Sequence, residues 1–75
     1  MNESNKIRLF GVVKWWSLER GYGYITCGPK DYWAHYTQIK SDKKFKKLKE
    51  CQHVAFCPDH NEKGDFATDI SIIED

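Results

Sequence analysis

The sequence predicts an all-β domain, five short strands closed into one small antiparallel barrel. Three observations point there. Apolar residues recur with a period of two, and no helical stripe of useful length appears. Glycine, proline, asparagine and aspartate punctuate that alternation at short intervals. The 75 residues form one domain (1–75, core about 8–73, with frayed ends) and leave no room for a second, so each strand must hide its apolar face against the others. A closed barrel does this without leaving open sheet edges.

Residues 8–16 read as the first strand and 21–27 as the second, joined by the polar turn 17–20. Gly28-Pro29-Lys30 is a tight connection into a third strand, 31–36. The lysine-rich stretch 37–49 is a long connection, too polar around Ser41–Lys44 to anchor much. Alternation resumes over 52–58, with Val54 and Phe56 on one face and His53, Ala55 and Cys57 on the other. Residues 59–64 form a polar turn, and 65–73 make the fifth strand. The expected inward set is Val13, Ile25, Tyr32, Ala34, Ile39, Leu48, Val54, Phe56, Ala67, Ile70 and Ile72.

Composition narrows the function classes. Three cysteines cannot pair completely, and residues 1–8 lack an apolar signal stretch, so reduced thiols and a cytoplasmic location are expected. No apolar run approaches the roughly 18–20 residues of a membrane helix. The acids are scattered over turns and the chain end, with no nucleophile–base pair or phosphate-cradling loop, so an enzyme is not expected. Net charge is +1, yet Lys40, Lys43, Lys44, Lys46, Lys47 and Lys49 crowd one stretch opposed locally only by Asp42. Such a run attracts phosphates, or is simply a solvated loop.

The aromatics are the unusual feature: three Trp, four Tyr and four Phe, many beside charges or glycines. A core this small cannot hold them all, and exposed rings call for a partner. In Gly21-Tyr22-Gly23-Tyr24-Ile25, Tyr22 and Tyr24 share one face of a strand; in Trp33-Ala34-His35, Trp33 and His35 do the same. Antiparallel pairing would set these four side by side, a platform suited to the flat faces of unpaired bases.

On Lys14-Trp15-Trp16-Ser17, Arg20-Gly21-Tyr22-Gly23-Tyr24-Ile25, Asp31-Tyr32-Trp33-Ala34-His35-Tyr36 and Phe45-Lys46-Lys47-Leu48-Lys49-Glu50, in that order, the chain resembles the cold-shock domain. The second and third segments resemble that family's two ribonucleoprotein motifs, and the likeness runs from about Gly11 to Ile70. The resemblance implies a five-stranded oligonucleotide-binding (OB-fold) barrel that binds single-stranded RNA or DNA with low sequence specificity. It implies an RNA chaperone or transcription antiterminator, with no cofactor, metal or small-molecule substrate. It also implies roles: Lys14 on phosphate; Trp15, Tyr22, Tyr24, Trp33, His35 and Tyr36 stacking on bases; Phe45 as an added ring in the long loop; Lys63 as a basic contact.

Several residues depart from the family pattern. Trp16 replaces a phenylalanine, Ser17 an asparagine, and Tyr32 and Ala34 two inward valines. Cys51 stands at a usual glycine, so a positive φ there would be strained. Asp69 replaces a frequent asparagine. Asp65-Phe66 replaces Pro-Gln; Phe66 adds a further stacking surface, while Asp65 repels phosphate.

Two rival readings stay open. An OB-barrel can serve as a protein-interaction module with weak nucleic-acid affinity. Cys51, His53, Cys57 and His60 offer zinc-type ligands, although on an extended strand Cys51, His53 and Cys57 would share a face yet spread over about 20 Å. No second hydrophobic patch is visible in the pattern, so a monomer is expected.

Overall fold

Glycine at 28, with φ of 62°, makes a two-residue turn with Pro29 and sets the register of the hairpin around which the barrel is built. The computed structural model describes residues 7–40 and 46–74, Glu74 by its backbone alone. The strands are β1 (Leu9–Ser17), β2 (Tyr22–Cys27), β3 (Lys30–His35), β4 (His53–Asn61) and β5 (Gly64–Glu74), with a short 3-10 turn at Tyr36–Gln38. They close in the order β1-β2-β3-β5-β4. Four seams are antiparallel, as the sequence predicts. The closing seam between β3 and β5 is parallel, at Trp33↔Phe66 and the bridge Ile39↔Ile70. A parallel seam needs a long crossover, here the whole stretch from the 3-10 turn through β4.

Ten of the eleven expected inward residues are buried. Tyr32 packs on Phe56 in the core, with ring centroids 5.0 Å apart. Ile72 is the exception, 37% exposed. It lies opposite Val54 near the end of β5, beyond the last contact with β3, so only β4 covers it. Trp16 packs against the core from its rim.

β4 differs most from expectation. It runs on through Pro58 to Asn61, which shortens the following turn to Glu62-Lys63. Proline is tolerated because β1 pairs with β4 only as far as Phe56, leaving the Pro58 nitrogen without a strand to serve. A register shift between Ala55 and Cys57 breaks the alternation, so Ala55, Phe56 and Cys57 are all buried. Cys57 therefore does not share the exposed face of His53. Its Sγ accepts from Arg8 Nη1 at 3.6 Å, while Cys51 is exposed in the preceding turn. Among the described residues no three His, Cys, Asp or Glu side chains gather as a metal site.

One surface departs from the expected pattern. Phe10 (71% exposed), Val12, His53 and Ile73 border a shallow depression of about 270 Å³ on β1 and β4–β5, a second apolar patch.

Cys51 has φ of 69°, in the left-handed region. The turn is held there by Cys51 N–H donating to the Val13 carbonyl at 2.8 Å and Val13 N–H to the Gln52 carbonyl at 3.0 Å. That conformation costs a non-glycine residue about 1–2 kcal/mol, of which glycine's greater unfolded-state freedom would return about 0.5–1. Cys51→Gly is expected to raise the unfolding free energy by about 0.5–1 kcal/mol and Tm by about 2–8 °C. A thermal melt in which the variant is no more stable would contradict this.

Candidate nucleic-acid interface

The outer face of β1–β3 is shaped by a close crossing. A β-carbon on Gly23 would sit 2.1 Å from the Trp15 carbonyl oxygen and 2.9 Å from Trp16 Cα, so only glycine lets β1 approach β2 this closely. The register slips at the same place: Val13 pairs with Ile25, yet Trp15 pairs with Tyr24, leaving Lys14 as the extra residue of a bulge. Lys14 and Trp15, consecutive in sequence, consequently both face outward, and Trp16 turns back onto the core.

The β2–β3 register places Tyr22 opposite His35 and Tyr24 opposite Trp33. The rings form one unbroken row. Trp15 touches Tyr24 at 5.7 Å and Tyr22 at 5.9 Å between centroids; Tyr22 meets Trp33 at 5.8 Å. Trp33 meets His35 at 5.4 Å, and His35 meets Tyr36 at 4.7 Å. Trp15 and Trp33 are each 38% exposed and Tyr36 45%. Tyr36 is not part of β3, as the alternation suggested, but opens the 3-10 turn. Its N–H donates to the Gly21 carbonyl at 2.9 Å, and its ring edge lies 2.8 Å from where a Gly21 β-carbon would be. His35 caps the turn: Nδ1 accepts from the Thr37 N–H at 3.3 Å and lies 2.8 Å from the Thr37 hydroxyl.

The row thus contains six of the ten residues singled out from the sequence. Lys63 and Phe66 line, with Lys14, Trp15, Tyr24 and Trp33, an open cleft of about 820 Å³ at one end of the row. Phe45, with Lys43 and Lys44 beside it, lies outside the described residues. A second opening of about 690 Å³, flanked by Leu18, Arg20, Tyr36, Lys46 and Lys47, continues the row beyond Tyr36.

Sequence reasoning missed the ion pairs that tie the bases to nearby acids. Lys14 Nζ is 2.9 Å from Asp31 Oδ2, and the Thr26 hydroxyl donates to Asp31 Oδ1 at 2.9 Å. Lys30 Nζ lies 3.7 Å from Asp65, and Lys40 Nζ 3.5 Å from Asp69. The Thr26↔Asp31 pair was readable from the two-residue turn, since it is the second rung of that hairpin. The bulge that swings Lys14 onto Asp31 left no sequence signal.

Residues 9–73 match the model of the "Cold-shock" DNA-binding domain. The chain belongs to the cold-shock domain family. Its curated relatives include cold shock-like protein CspA of Bordetella pertussis, 46% identical over 65 residues that span 84% of this chain and 96% of the relative. Cold shock-like protein CspG of Escherichia coli strain K12 is 38% identical over 69 residues, 89% of this chain and 94% of the relative. Among solved structures, Drosophila Unr CSD456 superimposes with a TM-score of 0.76 at 18% identity, over 93% of this chain and 28% of its own length. That likeness concerns the fold, an OB barrel. Cold-shock domains are of nucleic-acid-binding type, and among the described residues no helix is long and apolar enough to cross a membrane.

The Lys14 ammonium, and after it the Thr26 hydroxyl, hold the Asp31 carboxyl below its ordinary value of 3.8. A depressed folded value means that the pair's contribution to stability is present above the unfolded value. It is lost as pH falls through the lower folded one. In a carboxyl-carbon NMR titration, Asp31 is expected to titrate below 3.8 and to move upward in Lys14→Ala. An unchanged midpoint in that variant would show that the pair does not form in solution.

Proposed function

We propose that this cold-shock domain binds single-stranded RNA or DNA by stacking unpaired bases on Trp15, Tyr22, Tyr24, Trp33, His35 and Tyr36. Low base selectivity would suit an RNA chaperone or transcription antiterminator. The observation that carries the reading is the unbroken ring row, exposed on one face and joined at centroid separations from 4.7 to 5.9 Å. Every base has a π-face, so such a row accepts sequences broadly. Phe45 would add a further stacking ring, and Phe66 one in the cleft beside Lys63.

Lys14 and Lys63 would hold phosphates, Lys14 by exchanging Asp31 for the backbone. With bases and acids nearly balanced at +1, about two to four phosphate contacts are expected, a log–log salt slope of about −1.5 to −3. Stacking supplies most of the rest.

Replacing Tyr24 or Trp33 by alanine is expected to weaken binding of a heptapyrimidine by about 1–3 kcal/mol, with the barrel intact by circular dichroism. Unchanged affinity in both folded variants, or a salt slope much steeper than about −4, would assign the affinity to charge instead.

A further inference from the structure

The cleft beside Lys63 contains two carboxylates of different character. Asp31 has both oxygens engaged, Oδ2 by Lys14 and Oδ1 by Thr26, each at 2.9 Å. Asp65 is half-buried in the cleft wall, and its partner among the described residues is Lys30 Nζ at 3.7 Å, an ion-pair distance too long for a hydrogen bond. Both of its oxygens are left with accepting capacity, and an ionised carboxylate can only accept. Phe66 follows directly and sits opposite Trp33 across the parallel seam, so acceptor and rings share one wall of the cleft.

Unpaired bases present their Watson–Crick edges to a protein. Guanine is the base whose edge carries two adjacent donors, N1–H and the N2 amino group, a fork that matches two carboxylate oxygens as an arginine does. Uracil and thymine flank their single N–H with two carbonyl oxygens, and adenine sets a bare ring nitrogen beside its amino group. Each would turn lone pairs toward Asp65.

We propose that Asp65 is a specificity-determining residue, selecting guanine for the base that occupies the cleft lined by Trp33 and Phe66. The inference rests on the stacking reading above and adds one selective position to an otherwise tolerant row. Lys30, at 3.7 Å, offsets the carboxylate's charge without taking up its oxygens by hydrogen bonds.

The test is the affinity of heptathymidylate compared with seven variants carrying a single deoxyguanosine, walked through every position. One position should bind about 5- to 10-fold more tightly than the parent, in keeping with hydrogen bonds to a charged acceptor. Inosine at that position, which lacks the N2 amino group, should lose most of the gain. In Asp65→Ala the guanine-to-thymine ratio should fall to about one, while heptathymidylate itself binds more tightly because a phosphate-repelling charge has gone. A wild-type protein that gains at no position overturns the proposal, as does a guanine preference that survives in Asp65→Ala. Failure to bind any of the heptamers would instead remove the stacking reading, and the proposal with it.

Discussion

The crossing of β1 over β2 at Gly23 governs both faces of this barrel. Because a β-carbon there would sit 2.1 Å from the Trp15 carbonyl, the two strands can approach only if residue 23 has no side chain. That approach accommodates the bulge at Lys14, and the bulge decides which way the two tryptophans point. Trp15 joins the outer row of rings, while Trp16 closes the rim of the core. A regular strand would send Lys14 and Trp15 to opposite faces, and the row would lose the ring that joins Tyr22 to Tyr24. Inside and outside are thus set by one local geometry. The inner face of β2 and β3 carries Gly23, Ile25, Tyr32 and Ala34, and the outer face carries the rings.

Part of the lysine charge is already met within the described residues. Lys14, Lys30 and Lys40 are each paired with an aspartate on a neighbouring strand or segment. All three pairs are substantially exposed, so solvent screens them and each contributes little to stability. Asp31 holds Lys14 in the cleft beside Trp15 and Trp33.

The strands, the closed barrel and the ring platform were legible in the sequence because each rests on a local pattern. Tyr22-Gly23-Tyr24 and Trp33-Ala34-His35 show their two faces by alternation alone, and Gly28-Pro29 fixes how the two segments pair. The elements that resisted prediction all depend on contacts between distant segments. Pro58 reads as the end of a strand until β1 is seen to leave β4 at Phe56. Cys57 is buried through a register shift against β5, not through its own alternation. Lys14 meets Asp31 only because of the bulge, which arises where two strands press together. Cys51 is the opposite case: its strained φ of 69° was expected from the family's glycine at that position.

The central claim is that rings, not charges, hold the strand, and the two half-exposed tryptophans of the row report on it directly. The decisive measurement is tryptophan emission during titration with heptathymidylate in high salt, where screening removes most phosphate attraction. Saturable quenching at one strand per barrel is expected. Binding detected by the anisotropy of a labelled strand, with tryptophan emission unchanged throughout, would contradict it.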